Sequence, residues 1–318
     1  MIEELLKEFR QGSKRAAARI ISLIENEAPE GKEILRVLYK ESGRSYIVGI
    51  TGPAGAGKST LTDALVKLMR HRGYRVGVVA VDPTSPFTGG ALLGDRVRMS
   101  DLTLDPGVFI RSMASRGHLG GLSWAARDAL VVLDAFGCDY ILVETVGAGQ
   151  SQVDVVKVAD TVVLVTVPGL GDDIQAAKAG IMEIGDIFVV NKADRGDADQ
   201  VVRYLQSILE QQTKTEGWLP PVIKTVAWRG EGVEELLDAV ERHRSFLVNS
   251  GHLDPLRKMR LKEEIIERVE RLIFARLKKE VRMDGVLEEV YSRQLDPLSA
   301  AEALVGEIIP QAGSAGRK

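Results

Sequence analysis

A single cysteine in 318 residues, Cys138, excludes an internal disulfide and a cysteine-rich metal site. Charge of one sign is missing too. The 42 basic and 45 acidic residues give a net charge of −3, which leaves no electrostatic footprint for nucleic acid. Long apolar runs are absent, each being too short or too broken by charge to span a bilayer. The first residues, Met1-Ile2-Glu3-Glu4-Leu5-Leu6-Lys7-Glu8, are charged and amphipathic and carry no signal-peptide apolar region. No internal repeat is evident. These absences predict a cytoplasmic protein that binds neither membrane nor nucleic acid. Apolar residues make up 45 % of the chain, enough for one large domain of about 200 residues plus extensions.

Residues 2 to 41 read as short amphipathic helices, with Ala16, Ala17, Ile20, Ile21 and Ile24 on one apolar face and Ile34, Leu35 and Leu38 on another. From 45 to 245, strands and helices alternate, the pattern of a parallel sheet covered on both faces. Strands are expected near 46–50, 76–82, 107–111, 140–144, 161–167, 187–191 and 222–226. Helices are expected near 58–71, 121–136, 151–158, 173–184, 198–212 and 231–248. The predicted class is α/β, a doubly wound, mostly parallel sheet with N-terminal helices and a C-terminal helical arm. A break at Asn249-Ser250-Gly251 precedes a charged stretch, 257–281, with an apolar stripe at Leu261, Ile265, Val269, Leu272 and Phe274. Such a stripe either docks within its own subunit or forms a dimer face. Its place beyond a complete nucleotide domain favours the dimer. The expected division is 1–44, 45–249 and 250–318.

The residues that carry chemistry begin at Gly52-Pro53-Ala54-Gly55-Ala56-Gly57-Lys58-Ser59-Thr60, which fits G-x-x-x-x-G-K-[ST]. The run Tyr46-Ile47-Val48-Gly49-Ile50 before it reads as a buried strand, and Leu61 to Met69 place apolar side chains at helical spacing. Glycines let a backbone wrap so that several N–H groups point at one phosphate. A helix N-terminus adds partial positive charge for the same anion. In that setting Lys58 reaches the β- and γ-phosphates and the Ser59 hydroxyl ligates Mg²⁺. A glycine-rich turn beside a surface lysine is the alternative, but motif and context agree on a nucleoside triphosphate.

About 130 residues further on, the run Ile187-Phe188-Val189-Val190 is followed by Asn191-Lys192-Ala193-Asp194. An aspartate at the end of N-K-x-D accepts two hydrogen bonds, from N1–H and the exocyclic amine of guanine. Adenine lacks that donor pair and would leave the carboxylate unpaired. The Lys192 stem can lie over the base plane. A second base-side loop, Thr225-Val226-Ala227-Trp228, offers backbone N–H groups to the guanine oxygen. GTP is therefore expected over ATP.

Between these motifs, strand 140–144 ends in Glu144-Thr145-Val146-Gly147. Glu144 can hold a metal-bound water and the Gly147 N–H can touch the γ-phosphate. Ras-like proteins have Asp at the first position and a water-positioning Gln directly after the glycine. Here those places hold Glu144 and Ala148, so that scheme does not carry over. Asp82, closing strand 76–82, and Asp95, in the glycine-rich stretch Thr88–Arg96, are both Mg²⁺ candidates, directly or through water. A helix cap or a turn is the competing reading for each. The loop after 161–167, Pro168-Gly169-Leu170-Gly171-Asp172-Asp173, leads to a helix carrying Lys178. Lys178 is either a surface lysine or a positive charge brought to the phosphates, as an arginine finger is.

With these blocks assembled, the chain resembles the MeaB/ArgK family of P-loop GTPases, to which the methylmalonic aciduria type A protein belongs. The matching blocks are Gly52–Thr60, Val81–Ser85, Thr88–Met99, Arg111–Gly121, Glu144–Gln150 and Asn191–Asp194. The resemblance implies a homodimer formed through the C-terminal helical arm. It also implies a chaperone of adenosylcobalamin-dependent acyl-CoA mutases, of the methylmalonyl-CoA mutase type. GTP binding and hydrolysis to GDP would gate cofactor loading and protect or reactivate the mutase, with hydrolysis slow alone and stimulated by the partner. Glu144 and Asp82 or Asp95 fall on the family's magnesium and switch positions, and Lys178 on a third switch. Val226-Ala227-Trp228 falls on the guanine-contacting loop, where the family often has Ser in place of Val226. Two other readings are a nickel-type metallochaperone GTPase and a kinase of a transport system. The first needs paired Cys and His ligands, yet Cys138, His71, His118, His243 and His252 are scattered. The second needs an acceptor pocket that no sequence shows, and N-K-x-D opposes adenine.

Overall fold

The computed structural model describes residues 2–82, 100–114, 123–145, 155–169, 184–210, 217–280 and 283–308. The chain divides into two compact units, Met1–Leu253 and Asp254–Lys318.

Seven strands build the first unit: β1 Tyr46–Thr51, β2 Val76–Asp82, β3 Val108–Ala114, β4 Tyr140–Thr145, β5 Thr161–Thr166, β6 Ile187–Asn191 and β7 Val222–Thr225. They pair in the order β3-β2-β4-β1-β5-β6-β7, and every pairing is parallel. Strands covered on both faces read as continuous apolar runs, and β5 and β6 are buried at every residue. The chain leaves β1 toward β2 on one side, and β5 joins β1 on the other. The strand order thus reverses beside β1, a switch point of the kind at which doubly wound sheets take their ligands.

The expected strands are all present. β3 differs, running to Ala114 beyond the apolar run that suggested it. The expected strand ends at Arg111, and Ser112, Met113 and Ala114 extend it. In the fold, the Arg111 guanidinium reaches Ser22 Oγ at 3.1 Å and pairs with Glu25. Those partners lie on helix α2 (Lys14–Glu25), which packs beside α1 (Ile2–Arg10) and α3 (Pro29–Tyr39). The three helices are not a loose extension. Phe9, Ile20, Ile21, Ile34 and Leu38 share one core with Val79, Val81, Ile141 and Val143 of the sheet and with Leu130 and Leu133 of the helix Trp124–Ala135. Ser13 opens α2, its Oγ accepting from Ala16 N at 3.2 Å. On the opposite face, α4 (Lys58–His71) and the helix Val233–Asn249 cover β1, β4, β5 and β6.

Carboxylates close the N-terminal edge of the sheet. Asp134 accepts from Gly43, Arg44 and Ser45 N, Asp139 from Arg75 N, Asp160 from Ile47 N, and Asp186 from Val162 N, all at 2.6–3.0 Å. Each accepts from a backbone donor at, or just before, the start of a strand. Nearby, the buried Thr161 Oγ1 lies 2.6 Å from Tyr46 Oη and 2.8 Å from His243 Nδ1. Burial also pushes the Cys138 thiol up to about 12, so it stays a neutral, packed side chain.

The second unit consists of the helices Leu253–Glu280, Met283–Tyr291 and Pro297–Ile308 within its described residues. Leu261, Ile265, Val269, Leu272 and Phe274 are exposed along the first of them. Among the described residues no helix is long and apolar enough to cross a membrane.

Candidate functional site: a phosphate loop tied to a base-side loop

β1 delivers Thr51 to the C-terminal edge of the sheet, and Gly52 turns the chain at φ 143°. A Cβ at Gly52 would sit 2.0 Å from the carbonyl oxygen of Val165 on β5, so no other residue fits there without moving backbone. Gly57, at φ 85°, opens α4, and a Cβ on it would meet Asn191 Nδ2 at 2.5 Å. The loop is thus pressed against the ends of β5 and β6, and its N–H groups with the α4 N-terminus are donors suited to an anion. Lys58 turns back across the loop. Its ammonium donates to the carbonyl oxygens of Gly52 (2.9 Å) and Pro53 (3.0 Å), and the side chain is largely buried. Ala54, Gly55 and Thr60 are exposed and Ala56 is buried.

Ser59, in the first turn of α4, donates from Oγ to Glu144 Oε1 at 2.6 Å, with both residues buried. A hydroxyl and a carboxylate brought together beside a phosphate cradle are the oxygen donors that a hard divalent cation takes, so the pair fits Mg²⁺. Asp82 closes β2 at the same edge, one residue beyond the level at which Val81 pairs with Thr145. Asp95, Gly147 and Lys178 lie outside the described residues, as do the stretches 83–99, 115–122, 146–154 and 170–183 that contain the expected switch loops. Among the described residues, no three His, Cys, Asp or Glu side chains gather as a metal cluster.

The base-side residues are bound to the phosphate loop rather than merely near it. Asn191 closes β6 and is 2 % exposed. Its Oδ1 accepts from Thr225 Oγ1 (3.0 Å) and from Ala227 N–H (3.2 Å), while Nδ2 donates to the Ala56 carbonyl (2.8 Å). Lys192 takes a left-handed backbone, φ 57°, and its Nζ donates to the Gly55 carbonyl at 2.7 Å. Its aliphatic stem therefore runs alongside the phosphate loop. The Ala193 N–H donates to the Thr225 carbonyl at 3.0 Å, which fixes the loop from which Asp194 projects, exposed. The Val226 N–H donates to the Glu231 carbonyl at 3.0 Å, and a short 3-10 turn, Ala227–Arg229, follows. Trp228 is exposed, with the Arg229 guanidinium 4.5 Å from its ring centroid.

The structure thus brings Gly52–Thr60, Glu144, Asn191–Asp194 and Val226–Trp228 to one edge of the sheet. Two participants were not visible in sequence. The Val165 carbonyl, which dictates Gly52, is a backbone atom on a strand with no motif. The Thr225 hydroxyl lies beside the base-side loop, but its partner is set by strand register.

The sequence model of the family described as methylmalonyl Co-A mutase-associated GTPase MeaB matches residues 17–282. A Pyrococcus abyssi protein with a GTPase name is 53 % identical over 315 residues, covering 97 % of each chain. The GTPase ArgK of Escherichia coli is 35 % identical over 278 residues, covering 85 % of this chain and 84 % of its own. A crystal structure of an LAO/AO transport system kinase superposes with a TM-score of 0.75 at 27 % identity, covering 96 % of this chain and 97 % of the other. Phosphate loop, hydroxyl–carboxylate pair, tethered N-K-x-D loop and these full-length matches agree: the chain belongs to the MeaB family of P-loop GTPases.

Proposed function

We propose that the protein is a cytoplasmic, homodimeric GTPase that chaperones an adenosylcobalamin-dependent acyl-CoA mutase of the methylmalonyl-CoA mutase type. GTP binding and hydrolysis would gate cofactor loading and protect or reactivate the mutase. The observation that carries the guanine reading is the double tether of Asn191 and Lys192 to the phosphate loop at Ala56 and Gly55. It sets the Asp194 loop at a fixed reach from the phosphate cradle, as a base and its phosphates require. The mutase partner rests on the family's description, and the homodimer on the exposed apolar stripe Leu261–Phe274.

In this reading Asp194 pairs with N1–H and the 2-amino group of guanine, Lys192 flanks the base, and the Val226–Trp228 loop faces its oxygen. Phosphate-loop N–H groups and Lys58 hold the β- and γ-phosphates, and the Gly147 N–H meets the γ-phosphate. Ser59 and Glu144 would hold Mg²⁺ together with Asp82 or Asp95, and the ion, when bound, supplies positive charge to the phosphate oxygens. Water attacks the γ-phosphorus in line, the bond to the β–γ bridging oxygen breaks, and its electron pair leaves with GDP. Lys58 stabilises the charge that gathers on that oxygen. In sequence, Ala148 follows Gly147 where Ras-like proteins carry a water-positioning Gln, so turnover alone is expected to be slow. The mutase would order the switch segments and bring Lys178 to the phosphates.

Complex formation tests the partner. The chain, the mutase and a non-hydrolysable GTP analogue are expected to migrate together in size-exclusion chromatography. Separate migration in every nucleotide state would remove the mutase from this reading. The name of the LAO/AO relative favours a second reading, transfer of the γ-phosphoryl group to an acceptor. Label from γ-labelled GTP is expected in inorganic phosphate, and label on a protein or small molecule would support the kinase instead.

A further inference from the structure

Ser112 of β3, Ala80 of β2 and Glu144 of β4 form one row across the sheet, each paired with the next in register. Residues in register on neighbouring strands stand on the same face. That face is the one under α4. At one end of the row, Glu144 takes the Ser59 hydroxyl of α4 at 2.6 Å. At the other, Val108 and Ile110, at alternate positions before Ser112, pack in the core that holds Leu61 and Leu65 of α4. Ala80, between them, offers only a methyl group. Asp82 lies two residues beyond Ala80 along β2, the spacing that returns a strand to the same face.

The Ser112 Oγ is shut off from solvent and has no hydrogen-bond partner among the described residues. A hydroxyl buried without a partner costs free energy that an apolar group of its size would not. Strand spacing of about 4.8 Å and a rise of about 3.3 Å per residue put the Cα atoms of Ser112 and Asp82 about 8 Å apart. A hydroxyl and a carboxylate span that distance through one water, and Mg²⁺ keeps several waters of its own. We propose that Ser112 is a positioning residue for the Mg²⁺ site. Its hydroxyl holds a water against the Asp82 carboxylate and so orients that carboxylate toward the Ser59–Glu144 pair. The inference rests on the Mg²⁺ reading above.

The test compares wild type, Ser112→Ala, Ser112→Thr and Glu144→Gln in the full chain. Calorimetry follows the affinity for a non-hydrolysable GTP analogue as Mg²⁺ is added to chelator-treated protein. In wild type, Mg²⁺ is expected to tighten binding. S112A is expected to need about tenfold more Mg²⁺ for the same gain, the scale of losing a partner behind a metal ligand, and S112T to stay within about twofold of wild type. Without Mg²⁺, S112A should bind the analogue as wild type does and melt no lower, because the lost hydroxyl has no partner there. An unchanged Mg²⁺ requirement in S112A beside a raised one in E144Q would overturn the proposal and leave the Mg²⁺ reading standing. So would a lower melting temperature with weaker Mg²⁺-free binding, the signature of a merely structural hydroxyl. Wild-type affinity that ignores Mg²⁺ would sink the Mg²⁺ reading and the proposal with it.

Discussion

Asp194→Asn is expected to raise the KM for GTP by about a thousandfold, the scale of discrimination when a polar site loses its matched partner. In the proposed reading the carboxylate would accept from two donors of guanine. An amide keeps one acceptor and turns an N–H₂ group toward the 2-amino group, leaving two donors facing each other. Xanthine carries an oxygen at that position, so the same variant is expected to prefer XTP. The change should leave stability nearly untouched, within about 0.5 kcal/mol, because Asp194 is exposed. Steady-state kinetics with both nucleotides and a melting curve check it. Unchanged KM for GTP would show that Asp194 does not read the base.

Lys58→Ala is expected to lower GTP turnover at saturating nucleotide by about a thousandfold, comparable to removing a preorganised donor aimed at developing charge. Lys58 already lies along the loop, held by the Gly52 and Pro53 carbonyls, so its charge needs little rearrangement to meet the phosphates. The variant should retain its far-ultraviolet circular dichroism, since the neighbouring core residues Leu61, Leu65 and Val66 are untouched. A loss of tenfold or less would move the main electrostatic contribution elsewhere.

Much of the fold was legible because a parallel sheet buried on both faces writes its strands as apolar runs, as Val162–Val165 does within β5. Where a strand carries polar side chains, that signal stops. β3 continues through Arg111 and Ser112 because Glu25 and Ser22 of α2 cover the guanidinium, a pairing some 86 residues apart in sequence. The apolar faces of α1 to α3 were readable, but not the surface they would cover. At the site, the motifs themselves were readable, and the fold brings the phosphate loop, the Ser59–Glu144 pair and the Asn191–Asp194 loop to one edge of the sheet. Contacts between motifs were not readable. The tether of Asn191 to Ala56, the Thr225 hydroxyl on Asn191, and the Val165 carbonyl above Gly52 all arise from strand order, which brings β5, β6 and β7 beside β1.

The most direct measurement is the rate of GTP hydrolysis by the purified protein, alone and with an adenosylcobalamin-dependent methylmalonyl-CoA mutase, with ATP as control. A slow rate alone and clear stimulation by the mutase are expected, both confined to GTP. Rapid hydrolysis that the mutase leaves unchanged, or equal turnover of ATP, would contradict the proposed function.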